Sequence, residues 1–221
     1  MMVIICGCDE AGRGPVLGPM VLAGVSISED RRHELTEIGV KDSKLLTAKK
    51  RDQLYDQIIK IADNYSIVEV SPDEIDQCNV DGINLNQLEA IKIAHILTEL
   101  KPDRVYVDSP EPAKGGQKFG DMIVTHMHGK TPEIIAEHGA DAKYEVASAA
   151  SILAKVTRDN AVRCISKEIG HDIGSGYPAD PKCKEFLEKH YKDKHVHHIR
   201  TCWSTYQKLK RTKAQTNLDS F

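Results

Sequence analysis

Two apolar runs open the chain, Val3 to Cys8 and Met20 to Ile27, with a Gly- and Pro-containing stretch between them. Short apolar runs bounded by turn residues read as strands, so the opening reads strand, loop, strand, in hairpin-like pairing. Thr47 then caps a charged segment in which Leu54, Ile58, Ile59 and Ala62 recur at helical spacing, followed by a strand-like Ser66 to Val70. Asn86 with Glu89 three residues on predicts a capping box opening a helix that carries Leu88, Ile91, His95 and Leu100 and ends before Pro102. Arg104 to Val107 reads as a buried strand that stops at Asp108, Met122 to His128 as another strand, and Ala147 to Ile169 as a long helix with Ile152, Val156 and Ile165 inward. Strands and helices alternate, yet the first two strands are neighbours. That combination predicts an α/β fold with a mixed sheet flanked by helices.

Composition narrows the class. A chain of 221 residues with 40% apolar residues has enough material for a real core. A mean hydropathy of -0.40 and the lack of an apolar run near 18 residues exclude a membrane helix. The first 20 residues show no basic region followed by a long apolar one, so the expectation is a protein that stays where it is made. None of the six cysteines forms a CxxC pair; Cys6 and Cys8 lie two apart on a strand and read as buried thiols, which fits a reducing cytosol. The net charge of -3 argues at first against a strongly basic nucleic-acid binder. The distribution is uneven, however. After a turn at Gly174 to Pro181, residues 182–213 hold 10 Lys and Arg against 3 Asp and Glu, together with four His, and the remainder of the chain is correspondingly acidic. The expected organisation is a catalytic domain over 1–181, a basic helical extension over 182–213, and a flexible tail over 214–221.

Two phosphate-loop patterns fail on inspection. Gly12, Gly14 and Gly18 are spaced GxGxxxG and lead into a second strand where a dinucleotide fold needs a helix. His128 to Thr131 resembles the end of a Walker A loop, but Val124 occupies the position of its first glycine. His190, His195, His197 and His198, near Cys183 and Cys202, match no standard metal-site spacing and read as a phosphate-facing or exposed surface. The carboxylates carry more. Asp9 and Asp108 each follow directly on an apolar strand, and open sheets gather chemistry at the carboxyl ends of their strands. Charges placed there cost desolvation unless a cation or donor meets them, and an oxygen-only donor set points to Mg2+ or Mn2+. Glu10 joins Asp9 on one site only if the chain turns between them, because adjacent strand residues face opposite ways.

Five motifs in order resemble one family. They are Asp9-Glu10-Ala11-Gly12-Arg13-Gly14, Lys41-Asp42-Ser43-Lys44, Val107-Asp108, Asp141-Ala142-Lys143 with Ser148 through Asp159, and Gly174-Ser175-Gly176-Tyr177-Pro178. Together they resemble type 2 ribonuclease H, in its archaeal ribonuclease HII form, from residue 3 to about residue 206. The resemblance implies an RNase H-like mixed sheet flanked by helices, with a helical C-terminal extension. It implies endonucleolytic hydrolysis of the RNA strand of RNA-DNA hybrids and incision at ribonucleotides embedded in duplex DNA, leaving 5'-phosphate and 3'-hydroxyl ends. Asp9, Glu10, Asp108 and Asp141 become the catalytic and metal-binding carboxylates for two divalent ions, a set that titrates as a coupled group. Gly12, Arg13 and Gly14 would contact the 2'-hydroxyl, the missing side chains of the two glycines letting backbone groups approach the ribose, while Tyr177 stacks on the next deoxyribose. Lys44 would meet a phosphate, and Lys155 and Arg158, three apart on one helical face, would reach the backbone or form a solvated face.

The last residues, Gln215-Thr216-Asn217-Leu218-Asp219-Ser220-Phe221, resemble a sliding-clamp peptide of the form QxxLxxF, with Gln215, Leu218 and Phe221 as its fixed positions. The resemblance thus implies a monomeric cytoplasmic enzyme of replication and ribonucleotide excision repair. Two other readings remain at this point: a catalytically weak hybrid-binding module, and a metal-dependent nuclease of different substrate choice on the same fold.

Overall fold

The computed structural model describes residues 2–40, 46–110, 116–192 and 196–218. In chain order it contains β1 (Ile4–Ala11), β2 (Met20–Ser28), α1 (His33–Glu37), α2 (Ala48–Ile61), β3 (Asn64–Val70), α3 (Pro72–Val80) and α4 (Leu85–Leu100). There follow β4 (Arg104–Asp108), α5 (Gly116–Thr125), β5 (Glu133–Glu137), α6 (Ala140–Lys143), α7 (Glu145–Ile169), α8 (Pro181–His190) and α9 (Ser204–Leu218). Short 3-10 turns lie at Glu29–Arg31 and Val196–His198. No described helix is long and apolar enough to cross a membrane. The chain divides into two compact units. The first is built from the residues up to Ala11, Val21–Glu69 and Leu85–Thr157; the second from Gly12–Met20, Val70–Asn84 and the residues from Arg158 onward. The basic segment expected to stand apart as an extension falls inside this second unit.

The first unit is a five-stranded mixed sheet in the order β3-β2-β1-β4-β5. The hairpin expected at the start is present: β1 runs antiparallel to β2, with Ile4 opposite Ser28 and Ala11 opposite Val21. β1 is parallel to β4, and β4 to β5. A side chain at Gly7 would place its Cβ 2.1 Å from the backbone of Val146, so α7 lies against β1 at a separation only glycine permits. The facing stretch of α7 answers with small residues, Ala147, Ala149, Ala150 and Ala154, and with buried Ile152, Leu153 and Val156. Each of those larger side chains contributes about 1.5–3 kcal/mol by leaving water. Strand alternation puts Asp9 on the same face as Gly7, toward α7, and turns Cys6, Cys8 and Glu10 to the other. Cys6 and Cys8 are buried free thiols with their sulfurs 4.0 Å apart, as expected.

The second unit has its own core, with Leu17, Val162, Ile173, Phe186 and Ile199 packed together. Its helices start on sequence signals. Ser71 accepts from Glu74 N and Asp180 from Lys182 N, each followed by proline at the first helical position. Asp76 on α3 ties down the chain before α9 by accepting from Thr201 N and Oγ1 and from Cys202 N, at 2.6–3.0 Å.

Four expectations change. The segment Met122–His128 is not a strand: Met122 to Thr125 end helix α5, which buries Phe119, Gly120 and Ile123 on one face. The three-residue apolar run Met122 to Val124 has no distinguishable period, and the helical spacing appears only once Phe119 is included. The fifth strand is instead Glu133–Glu137, a half-buried segment bounded by acids. Helix α4 begins at Leu85, so Asn86 and Glu89 lie inside its first turns and Glu89 is buried. Finally, α9 continues through Leu218, where a flexible tail was expected from Ala214. That expectation rested on the missing apolar stripe, but Lys, Ala and Gln propagate a helix already begun at Ser204.

Candidate active site

Three carboxylates converge at the carboxyl ends of the central parallel strands. In the β1–β4 register Cys8 pairs with Val107, so Asp9 and Asp108 occupy the next position on two adjacent strands. Asp141 comes from α6, and that short helix is held to β4 because Ala140 N donates to Asp108 Oδ1 at 2.9 Å. One carboxylate oxygen from each of Asp9, Asp108 and Asp141 lies within 4.8 Å of the other two. Asp9 and Asp141 are buried and Asp108 is half-buried.

Burial pushes the Asp9 carboxyl up to about 6, with Asp108 and Asp141 adding repulsion. Lys155 Nζ, 3.9 Å from Asp9 Oδ2, and the Ser151 hydroxyl pull the other way and do not prevail. Lys155 also donates to Ser151, so two turns of α7 attend Asp9. Glu10 is not among the three whose carboxylate oxygens converge. β1 continues as a regular strand through Ala11, Glu10 pairs with Leu22, and the turn between Asp9 and Glu10 that would unite them is not made. Glu10 N instead donates to Asp9 Oδ1 at 2.8 Å.

In the second unit the Gly12–Gly14 loop is held from within. Arg200 is fully buried and donates from Nη2 to Gly12 O at 2.6 Å, from Nη1 to Arg13 O at 3.0 Å and from Nε to Gly18 O at 3.1 Å. Its guanidinium also lies over the Trp203 ring, 4.9 Å from the centroid, and Trp203 Nε1 donates to Gly14 O at 3.2 Å. Burial and the neighbouring Arg158 lower Arg200 to about 10, so it stays charged at neutral pH.

Gly12 has φ +85°, and a Cβ there would stand 2.5 Å from Arg158 Nε and 2.8 Å from Pro19 O. Its positive φ and the close backbone of Pro19 therefore already demand glycine here, apart from any ribose that would approach this loop. Arg158 is buried, with Nη2 donating to Ser175 O at 2.7 Å and its guanidinium 5.3 Å from the Tyr177 ring centroid. The solvated-face alternative is thus excluded for Arg158. Tyr177 is 42% exposed and stands on a loop fixed by Asp180, which accepts from Ser175 N and Oγ. Arg13 is half-buried and Gly14 exposed.

Lys44 and Phe221 lie outside the described residues, as do the rest of the Lys41–Lys44 motif and His195. Gln215 is exposed on α9, and the backbone of Leu218 ends that helix. Sequence reasoning missed Arg200, Trp203 and Ser151. Arg200 was counted as one positive charge of a basic surface, whereas the apolar Ile199 before it and the chain's single Trp after it were the available signs of burial.

A mixed sheet in this order, with acids gathered at the ends of its central strands, defines a ribonuclease H-like hydrolase. A family model described as Ribonuclease HII matches residues 6–206. The Ribonuclease HII of Pyrococcus furiosus is 47% identical over 98% of this chain and 97% of its own length. The crystal structure of ribonuclease H2 from Pyrococcus horikoshii superposes with a TM-score of 0.86 at 40% identity, covering 95% of this chain and 98% of that one. The structure of a PCNA:RNase HII complex from Archaeoglobus fulgidus gives 0.78 at 34% identity, covering 92% and 96%. The chain belongs to the ribonuclease HII family. It is a hydrolase with ribonuclease H activity, an endonuclease of RNA-DNA hybrids.

Proposed function

We propose that the chain also incises at single ribonucleotides embedded in duplex DNA, leaving 5'-phosphate and 3'-hydroxyl ends. The observation that carries the reading is the buried cluster of Asp9, Asp108 and Asp141. Its donors are all carboxylate oxygens, the set that hard divalent cations take, and no nitrogen or sulfur donor belongs to it. Asp9, Asp108 and Asp141 would hold such ions, Mg2+ or Mn2+; the resemblance adds Glu10 as a fourth ligand for a pair of ions, which requires its side chain to turn from its place on β1 toward the cluster when they bind. When bound, the ions supply activation of the attacking water and charge stabilisation at the leaving 3'-oxygen.

The chain's own residues do the rest. Lys155 favours the ionised form of Asp9, which is the form that binds cations. Arg200 immobilises the Gly12–Gly14 backbone, so its polar groups would meet the 2'-hydroxyl, the sugar group that separates RNA from DNA. Tyr177 offers a ring for the deoxyribose that follows, and Lys155 and Lys44 offer charge to the phosphates. The test is a duplex carrying one ribonucleotide, incubated with Mg2+ or Mn2+. Cutting 5' to the ribonucleotide, lost in Asp108→Asn, is expected; undiminished cutting by that variant would remove the assignment.

We further propose a monomer acting in the cytoplasm, in replication and ribonucleotide excision repair, that docks on a sliding clamp through Gln215, Leu218 and Phe221. The reading is supported by the Archaeoglobus relative, which was solved in complex with PCNA. Deleting residues 215–221 should abolish clamp binding in a pull-down and leave hydrolysis of short hybrids unchanged.

A further inference from the structure

The second unit contains another set of metal-type donors, chemically unlike the first. Glu168, near the end of α7, meets His197 and His198 of the 3-10 turn, with one ligand atom from each within 4.8 Å of the others. The same ring nitrogen of both histidines points at the same oxygen: Nε2 of His198 lies 3.2 Å and Nε2 of His197 3.7 Å from Glu168 Oε1. The two imidazoles are neighbours, with centroids 3.9 Å apart. The His198 side chain is 12% exposed, while His197 and Glu168 are open at 48% and 58%.

We propose that Glu168, His197 and His198 form a binding site for a zinc-like divalent transition metal, separate from the carboxylate centre. Zinc bonds to imidazole nitrogen and carboxylate oxygen measure about 2.0–2.1 Å, so tetrahedral ligand atoms stand about 3.3 Å apart. The two nitrogen–oxygen separations bracket that value. Two imidazoles and one carboxylate are a borderline donor set that selects zinc, cobalt or nickel over Mg2+, so the ion serving the all-oxygen cluster does not compete here. Among the described residues no fourth donor joins the group, which leaves that position to water.

The site has a consequence for the loop that Arg200 holds. His198 O accepts from Gly18 N at 2.9 Å, and Arg200 N, two residues further on, donates to Val16 O at 2.8 Å. A metal clasping Glu168 to His197 and His198 would pin to α7 the turn that ends two residues before Arg200, whose side chain reaches Gly12 and Arg13. Zinc would therefore act as a structural clasp on the loop and not as a reactant.

The experiment is competition of the purified full chain with a chromogenic zinc chelator in excess Mg2+, alongside thermal melting. Expected are one zinc equivalent, retained in an Asp9→Asn, Asp108→Asn double variant, and an affinity at least about tenfold weaker in either His197→Ala or Glu168→Gln. Zinc at a hundredfold excess over its dissociation constant should raise the wild-type melting temperature by about 5–10 °C. Both substituted side chains are exposed, so the metal-free variants should melt like the wild type. Zinc binding that survives both substitutions, no bound equivalent beyond the carboxylate centre, or equal melting shifts in wild type and variants would overturn the proposal.

Discussion

The two units bury charge in opposite ways. In the first, Asp9, Asp108 and Asp141 crowd like charges together, and a lysine at 3.9 Å does not offset the cost of burying Asp9. In the second, Arg200 is buried more completely, yet each of its donor nitrogens finds a backbone carbonyl. A buried charge with its hydrogen bonds made is a rigid structural part; a buried cluster of like charges is an unfinished one, completed only by cations. The first arrangement suits chemistry on a phosphate, and the second suits holding the Gly12–Gly14 loop at a fixed geometry.

The strongest way to break the contrast is to take one member from the acid cluster. Asp108→Asn should lower hydrolysis of an RNA-DNA hybrid by about 10³-fold or more, on the scale of losing a preorganised electrostatic partner in a reaction site. The fold should persist, because Asn keeps an oxygen to accept from Ala140 N. Circular dichroism and single-turnover kinetics on the same preparation separate the two effects.

Arg200 should show the reverse pattern. Arg200→Ala leaves the carbonyls of Gly12, Arg13 and Gly18 without their donor and should destabilise the protein by about 3–5 kcal/mol. Arg200→Lys keeps the charge but not the planar fork, and one ammonium cannot serve three divergent carbonyls. The lysine variant should fold and cut continuous hybrids, while its preference for an RNA-to-DNA junction falls about tenfold, a difference of about 1.4 kcal/mol. Wild-type melting and junction preference in Arg200→Lys would show that charge alone suffices.

Asp9 gives a third test, by pH. Its folded value of about 6 lies above the ordinary 3.8, so the folded chain holds this proton more tightly than the unfolded chain does. The resulting stability is fully present below about pH 4 and is lost as pH rises through about 6. In EDTA at pH 8, Asp9→Asn should be more stable than the wild type by on the order of 3 kcal/mol, or about 6–12 °C in melting temperature. The gap should close at pH 4. A wild type as stable as the variant at pH 8 would mean that Lys155 and Ser151 compensate the burial after all.

How legible this was from sequence depended on range. The β1–β2 hairpin, the Thr47 cap and the inward Ile152, Val156 and Ile165 of α7 are local patterns of period and capping, and all are present. Asp9 and Asp108 were readable because each ends an apolar run, and Asp141 only through the family motif, since nothing local marks a four-residue helix as part of a site. Arg200 lies 188 residues from Gly12 in sequence, and no periodicity reports such a pairing. Phe119 and Ile123 show the converse: the helical spacing was present locally but was masked by the β-branched Ile123 and Val124 beside it, whose propensity tertiary packing overrides.

The smallest effect is expected at Tyr177, and it sharpens what kind of part the second unit is. One face of the ring is set by the Arg158 guanidinium at 5.3 Å, and Gly14 lies close enough that an added Cβ would stand 3.3 Å from Tyr177 Cε1. The ring is therefore oriented before substrate arrives, and its 42% exposure leaves surface for a sugar. If the contribution is stacking, Tyr177→Ala should cost about 1–2 kcal/mol, roughly a tenfold fall in kcat/KM on a single-ribonucleotide duplex. Tyr177→Phe keeps the ring and should stay within about twofold. An equal fall in both variants would assign the effect to the hydroxyl, and recognition in this unit would then rest on a hydrogen bond and not on a preset surface.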